Sequence, residues 1–235
     1  MKTITHRSDT RGKANFGWLN SRHTFSFGHY FDPERIQFGA LRVLNDDIVV
    51  GGAGFPTHPH NNMEIVSIPL EGALAHKDST GTEKIIATGE VQIMSAGSGL
   101  SHSEYNASKT EEVNFLQVWV LPKERDINPR YEQKLFDENA RKNKIQVVVA
   151  PDNKNALWIN QDAWFSLTDL DRNTSITYDF HKSGNGVYLF VIDGNVSVAG
   201  ELLKKRDALG ISDTSKLEVS ASTNARLLFI EVPMI

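Results

Sequence analysis

Hydrophobic positions fall in short runs along the chain, and polar or turn-forming residues separate one run from the next. The runs are rich in β-branched and aromatic residues, and they recur at intervals of about ten residues. Many short strands at this spacing are typical of antiparallel sandwiches and barrels, whereas βαβ units need helical segments between strands. The clearest runs are Met63–Leu70, Lys84–Ala87, Val91–Met94, Val113–Leu121, Ile145–Val149, Ser175–Phe180, Val187–Ile192, Asn195–Val198 and Arg226–Val232.

Helical periodicity is weak throughout, and its best example is the short polar stretch Asp137–Asn143. A new β-type run follows this stretch, so we expect a domain junction within residues 125–145. The sequence therefore predicts two domains, residues 1–130 and residues 131–235, each of them all-β.

A faint internal repeat supports two similar domains. Leu70-Glu71-Gly72 ends a hydrophobic run in the first half, and Ile192-Asp193-Gly194 ends one in the second half. The similarity does not extend to chemistry, because the second half contains a single histidine, His181. We expect two antiparallel β-barrels packed together, of which only the first carries a functional site.

Composition narrows the functional classes. The chain has 235 residues and no cysteine, which excludes disulfides, thiolate metal sites and cysteine nucleophiles. The net charge is −4 and no basic stripe is present, so nucleic acid is not expected as a direct partner. No apolar run suggests a membrane span or a secretory signal. A cytoplasmic, monomeric protein is the expectation.

Three of the eight histidines and one glutamate form two pairs with a spacing of two, within one window of the sequence. His58 and His60 form the first pair, and His102 and Glu104 form the second. Residues i and i+2 of a strand face the same side, so each pair converges. If the two strands are neighbours, three imidazoles and one carboxylate meet on the inner wall of the barrel. An octahedral divalent transition-metal ion held by four ligands keeps two open positions, which favours catalysis.

Two other residues could belong to this site. Glu64 follows His60 by four positions, so it is a candidate ligand, a hydrogen-bonding partner of a ligand, or an acid lining the barrel. His76 lies on an adjacent predicted strand, and we favour a hydrogen-bonded wall residue over a ligand. His6 and His181 have no histidine or acid at useful spacing, which favours structural or surface roles. No nucleophile elbow or phosphate-binding loop is present.

These residues resemble the pirin family of the cupin superfamily, in particular its bacterial quercetinase-like branch. Gly52-x5-His58-x-His60-x3-Glu64 is similar to the first cupin motif, and the segment from Gly89 through His102 to Asn106 is similar to the second. The wordings HPHNNMEIVSIPLEG, QIMSAGSGLSHSEYN and PRYEQ carry the resemblance to pirins, which extends from about residue 10 to about residue 136. Ser95 and the long gap before His102 depart from the general cupin pattern in a pirin-like way.

The resemblance implies a bicupin fold with one metal ion in the N-terminal barrel. By position, the family ligands correspond to His58, His60, His102 and Glu104, whereas the general cupin pattern would use Glu64. The expected ion is iron, with nickel, cobalt, copper, manganese or zinc as alternatives. The implied activity is that of quercetin 2,3-dioxygenases, which open the flavonol C ring with dioxygen and release carbon monoxide. Glu104 would then be both ligand and catalytic base.

Two other functions remain open at this point. Some pirins are described as metal-dependent co-regulators, so the chain could be a non-enzymatic metal or redox sensor that acts through a protein partner. It could also be a cupin enzyme that acts on another small phenolic metabolite.

Overall fold

Strands form most of the chain in the computed structural model, which describes residues 1–235. The first twelve strands are β1 (Lys2–His6), β2 (Gly12–Asn15), β3 (Leu19–His23), β4 (Leu41–Val49), β5 (Gly54–His60), β6 (Glu64–Glu71), β7 (Ala73–Asp78), β8 (Glu83–Ala87), β9 (Glu90–Ser95), β10 (Leu100–Asn106), β11 (Val113–Val120) and β12 (Arg130–Leu135). The other ten are β13 (Gln146–Ala150), β14 (Leu157–Trp158), β15 (Trp164–Leu170), β16 (Ser175–Asp179), β17 (Asn185–Asp193), β18 (Val196–Val198), β19 (Glu201–Leu203), β20 (Ala208–Ser212), β21 (Lys216–Ala221) and β22 (Ala225–Pro233).

Helical structure is confined to two short 3₁₀ segments, Ser8–Thr10 and Glu138–Arg141. The second segment lies inside the stretch Asp137–Asn143 that the sequence singled out, and the Asp137 side chain caps it by accepting from the Asn139 N–H. Neither helix approaches the length or apolar character needed to cross a membrane.

The strands form two sandwiches, each made of a seven-stranded and a four-stranded sheet. In the N-terminal sandwich the orders are β12-β9-β6-β11-β4-β3-β2 and β5-β10-β7-β8; in the C-terminal one they are β1-β20-β17-β22-β15-β13-β14 and β16-β21-β18-β19. All named pairings are antiparallel except β13–β14. The predicted all-β fold with two cupin-type domains is confirmed. Each barrel is flattened into two sheets, and no strand of one sheet pairs with a strand of the other.

The two seven-stranded sheets pack against each other and form the largest hydrophobic core, a cluster of 27 buried residues. In strand β17, successive side chains point to opposite faces, so the strand contributes to two hydrophobic cores. Tyr188 and Phe190 point into this core between the domains, whereas Leu189 and Val191 point into the C-terminal sandwich. Hydrophobic burial on both faces explains why β17 reads as a continuous apolar run in the sequence.

The strand β1 crosses to the C-terminal sandwich, whereas β12 stays with the N-terminal one. β1 at the N-terminus pairs with β20, with His6 opposite Ala208, and so belongs to a C-terminal sheet. β12 pairs with β9, with Arg130 opposite Ser95, and so belongs to the N-terminal sheet. The division predicted between residues 130 and 131 stays a prediction, and it falls within β12 rather than in a linker.

Candidate metal centre

Three neighbouring strands of the N-terminal four-stranded sheet position the candidate ligands. β10 lies between β5 and β7, which places His102 opposite His58 on one side and opposite Asp78 on the other. Glu104 lies opposite His76 on β7. On the β5 side the register shifts between His102 and Glu104, so the regular alternation of the pair is broken there.

The loop between β9 and β10 depends on glycine. Gly97 has a φ of 50° and Gly99 has a φ of 128°, both in the region that side chains disfavour. A Cβ at Gly97 would also overlap the carbonyl oxygen of Ile127. The loop can therefore turn closely under residues 122–129 and return the chain so that His102 enters the barrel.

The structure brings three of the four predicted ligands together. One ligand atom from each of His58, His60 and His102 lies within 4.8 Å of the other two. His102 is buried, whereas His58 and His60 are partly exposed at the end of the barrel. Their ring centroids are 4.5 to 4.9 Å apart. Three imidazoles this close, with one side open to solvent, form a site that a metal ion can enter.

The ring nitrogens are prepared for a metal ion. His58 Nδ1 lies 2.8 Å from the Pro56 carbonyl oxygen, which can only accept, so Nδ1 carries the hydrogen and Nε2 keeps its lone pair. Both ring nitrogens of His102 are buried without a hydrogen-bond partner. Buried polar atoms without partners are rare because they lose their hydration, and a bound cation would satisfy one of these. The donor set fits a divalent transition-metal ion.

The electrostatics also keep the imidazoles of His60 and His102 neutral, which is the ligating form. Burial lowers the pKa of His60 to about 4, and the neighbouring His58 lowers it further in the same direction. Burial, followed by the other histidines of the cluster, lowers the pKa of His102 to about 2. At neutral pH no proton therefore competes with a metal ion for these two rings.

Glu104 lies slightly apart from the three-histidine cluster. Its carboxylate oxygens accept from Ser67 Oγ at 3.1 Å and from Gln117 Nε2 at 2.7 Å. Burial raises its pKa to about 7, and these two hydrogen bonds offset the effect only in part. Its ligand atom groups with those of His102 and His76, within 4.8 Å, rather than with the two histidines of β5. The assignment of Glu104 as ligand stays a prediction.

Glu64 points away from the site, towards the other domain. Its Oε2 accepts from Ser95 Oγ at 2.8 Å and from the Asn160 N–H at 3.1 Å. Glu64 does not face the same side as His60, although four residues separate them. β5 ends at His60, the chain turns at Asn62 with a φ of 49°, and β6 begins at Glu64. Glu64 belongs to neither potential metal group.

His76 lines the inner end of the site, as a hydrogen-bonded wall residue would. Its Nε2 lies 2.9 Å from Asp78 Oδ2, and both side chains are fully buried. Its ring centroid lies 5.4 Å from that of His102 and 4.6 Å from that of Tyr131. The hydrogen bond to Asp78 agrees with the wall residue expected from the sequence. The sequence did not predict that His76 also lies close to His102 and Glu104.

Several residues of the site were not recognised in the sequence. Ser67 and Gln117 occupy facing positions of β6 and β11, and Gln117 also faces Asn45 of β4. Trp119 lies two residues further along β11, where its ring contacts that of His60 at 4.9 Å and its Nε1 is buried without a partner. The sequence does show polar residues at alternate positions inside hydrophobic strands. It does not show that these residues meet at the site, because that depends on the order of the strands in the sheet.

An open depression of about 510 Å³ begins beside His60. Its other lining residues are Pro59, Asn61, Ser79, Gly99, Leu100 and Ser101. A ligand that approaches the three histidines from solvent would pass through this depression.

The comparisons with known proteins cover both domains. The family model for pirin matches residues 5–120, and the model for the quercetinase C-terminal cupin domain matches residues 147–232. A quercetin 2,3-dioxygenase from Escherichia coli strain K12 is 41% identical over 232 residues, which is 97% of each chain. A pirin-like protein from Caulobacter vibrioides is 37% identical, over 95% of this chain and 96% of its own length.

One solved structure matches the fold of this chain along its whole length. The crystal structure of the bacterial pirin YhhW from Escherichia coli in complex with nickel(II) matches with a TM-score of 0.94 and 38% identity, and the match covers 100% of both chains. That protein binds a divalent metal on the same fold, as the histidine cluster of this chain suggests. The resemblance noted in the sequence is confirmed, because the two family models and the full-length relatives show that this chain belongs to the pirin family.

Proposed function

We propose that the chain is a metal-dependent dioxygenase that cleaves the ring of a flavonol such as quercetin and releases carbon monoxide. The observation that carries the proposal is the cluster of His58, His60 and His102, whose ligand atoms lie within 4.8 Å of one another and which is open to solvent on one side. The full-length similarity to a quercetin 2,3-dioxygenase supports the choice of substrate.

His58, His60, His102 and Glu104 would hold the ion, and iron is the ion we expect. When bound, such an ion supplies Lewis-acid chemistry and orients an oxygen ligand beside the substrate. The protein supplies the orientation of the ligands: the Pro56 carbonyl fixes the His58 ring, and Trp119 packs against the His60 ring. These contacts hold the imidazoles in one geometry before any substrate arrives.

Glu104 is the group we assign to proton transfer. The flavonol 3-hydroxyl must lose a proton before its ring becomes electron-rich enough to react with dioxygen. Glu104 lies on the inner side of the cluster, beside His102, and Ser67 and Gln117 hold its carboxylate in place. A carboxylate in this position can accept the hydroxyl proton.

The first experiment measures metal content by elemental analysis and dioxygen uptake with quercetin, for wild type and His60→Ala. We expect about one transition-metal ion per chain in the wild type, and loss of uptake in the variant because one of three converging imidazoles is missing. His29→Ala is the matched control, since His29 is an exposed histidine outside the cluster. Absence of metal under every reconstitution condition would refute the proposal.

Glu104→Gln tests the proton-transfer role separately. The variant keeps the shape of the side chain, so it should retain much of the metal but lose turnover. Full activity would contradict the assignment of Glu104 as base. Metal binding without any quercetin-dependent uptake in the wild type would favour another phenolic substrate or a metal-sensing role.

A further inference from the structure

A depression of about 510 Å³ lies at the seam between the two domains and shares no residue with the histidine cluster. None of its lining residues is hydrophobic; they are Ser8, Asp9, Arg11, Lys13, Arg22, Asp46, Lys205 and Arg206. Five of them are cations and two are carboxylates, so the lining has a net charge of +3 in a chain whose net charge is −4. A local excess of positive charge in an acidic protein indicates a site for an anion.

Part of the lining is a row of charges across three neighbouring strands. Arg22 of β3 lies opposite Lys13 of β2 on one side and opposite Asp46 of β4 on the other. Asp46 in turn lies opposite Leu116 of β11, which belongs to the core between the domains. Directly opposite residues share a face of the sheet, so the row continues the interdomain face outwards to the depression. Like charges in opposite positions destabilise a sheet, and an anion bound beside Lys13 and Arg22 would offset this repulsion.

The carboxylate in this row is occupied by other partners. Asp46 Oδ2 lies 3.0 Å from Arg206 Nε, and Asp46 Oδ1 accepts from Asn114 Nδ2 at 2.8 Å. Arg22 donates to neutral oxygens only. Neither Arg22 nor Lys13 forms an ion pair with a carboxylate, so both charges are available to a ligand.

Arg11 is the buried member of the lining. Its side chain is 2% exposed, and its Cζ lies 5.5 Å from the centroid of the Phe190 ring. Nε and Nη1 have no hydrogen-bond partner, and Nη2 lies 3.7 Å from Asp46 Oδ2, too far for a hydrogen bond. Burial lowers the pKa of this guanidinium, Asp46 opposes the effect, and Arg206 and Arg22 add to it. Because an arginine stays protonated in a protein, a buried positive charge is left with donors that lack an acceptor.

We propose that this depression binds a phosphate group, either free inorganic phosphate or the phosphate of a monoester. Guanidinium groups suit phosphate oxygens because they are always charged and their planar N–H groups match the geometry of the anion. Lys13 and Arg22 would bind the anion from the exposed side, and Arg11 would donate from the buried side. The cations surround one depression instead of forming a stripe, which fits a single phosphate group rather than a nucleic-acid backbone.

The test is isothermal titration calorimetry with inorganic phosphate at constant ionic strength. Arg11→Gln and Arg22→Gln should each raise the dissociation constant by at least about tenfold, because each removes a charged hydrogen-bond donor. Lys13→Gln should raise it by roughly two- to fivefold, as for the loss of an exposed ion pair. Lys84→Gln is the matched control, since Lys84 is an exposed lysine outside the depression, and it should leave binding unchanged. Arg22 is only partly buried, so its variant keeps the test valid if Arg11→Gln does not fold.

Two further measurements separate the depression from the metal centre and one phosphate source from the other. His60→Ala, which removes a predicted metal ligand, should bind phosphate as tightly as the wild type does. Phenyl phosphate represents a monoester: if it binds as well as inorganic phosphate, the ligand is a phosphate ester, and if only inorganic phosphate binds, the ligand is the free ion.

Three results would overturn the inference. The first is wild-type protein that shows no saturable binding of either compound. The second is phosphate binding that is unchanged in both Arg11→Gln and Arg22→Gln. The third is phosphate binding that is lost in His60→Ala, which would place the anion at the metal centre.

Discussion

The two barrels have the same architecture but different interiors. The C-terminal barrel is filled by one cluster of 16 buried hydrophobic residues. The N-terminal barrel has only two small clusters, of six and four residues, and polar side chains occupy the space between its sheets. In this protein, therefore, hydrophobic packing fills the interior of one barrel, whereas the interior of the other has room for polar side chains and a ligand.

Two buried glutamates show the same contrast at the level of one side chain. Glu231 in the C-terminal barrel accepts from the side chains of Tyr178, His181 and Asn185 and from the N–H groups of His181 and Lys182. Burial alone would raise its pKa, but these hydrogen bonds lower it. Glu104 has only two neutral donors, and its pKa is raised to about 7. A carboxylate with few donors in a polar cavity is the one available for chemistry.

The largest expected effect on stability comes from Glu231→Ala. Removal of the carboxylate leaves several buried donors without an acceptor, so the free energy of unfolding should fall by about 3–5 kcal/mol. Glu104→Gln in metal-free protein should change it by less than about 1 kcal/mol, because that carboxylate is already poorly stabilised. Urea denaturation of both variants measures the difference. Equal losses would remove the distinction between a structural and an available carboxylate.

A cavity in the packed barrel should have the next largest effect. Leu189 is fully buried in the C-terminal cluster, so Leu189→Ala should lower the free energy of unfolding by about 2–5 kcal/mol. The counterpart in the N-terminal barrel is Trp119→Phe, which removes an indole N–H that has no partner. We expect this variant to lose less than about 1 kcal/mol, as measured by the same urea titration. A larger loss for Trp119→Phe would show that the N-terminal interior is also packed for stability.

The smallest effect concerns pH and a histidine with a structural partner. His6 on β1 bonds to the Tyr188 hydroxyl at 2.7 Å; burial and then Arg35 lower its pKa to about 4, and Asp32 opposes them. The unfolded chain binds the proton more tightly, so stability is complete above about pH 6.5 and falls as the pH drops towards 4.

At pH 5.5, one unit below the ordinary pKa of histidine, the loss from His6 should be about 1.4 kcal/mol. The measurement is the difference between wild type and His6→Gln in urea denaturation at pH 7 and pH 5.5. This difference excludes contributions from the histidines of the metal centre, which both proteins share. An identical pH dependence in the two proteins would contradict a structural role for His6.

The sequence predicts the strands and the proximity of His58 and His60 well because both depend on local periodicity. Every hydrophobic run singled out in the sequence is a strand, within a residue or two at each end. Alternation also places His58 and His60 together, and the condition that their strand lies beside that of His102 is met, because β5 pairs with β10. These features need only the two-residue period of a strand.

Features that depend on breaks in a strand or on distant partners were beyond the sequence. Alternation and the first cupin motif both made Glu64 a candidate ligand, but the chain turns at Asn62 and the Glu64 carboxylate accepts from the Asn160 N–H instead. His181 lacked a partner at useful spacing, yet its ring bonds to Glu231, 50 residues away. The approach of His76 to Glu104 likewise requires the pairing of β7 with β10. Contacts of this kind follow from the strand order, which periodicity does not encode.

The pairing of β1 with the C-terminal sandwich has a consequence for how the protein folds during synthesis. β1 precedes its partner β20 by about 200 residues in the chain, since His6 pairs with Ala208. At 5–20 residues per second, β1 waits for roughly 10–40 s. The newly made N-terminal barrel therefore carries an unpaired strand until β20 has been synthesised. During this interval the backbone N–H and C=O groups along β1 that later bond to β20 have no partner strand, and such an edge can pair with another chain.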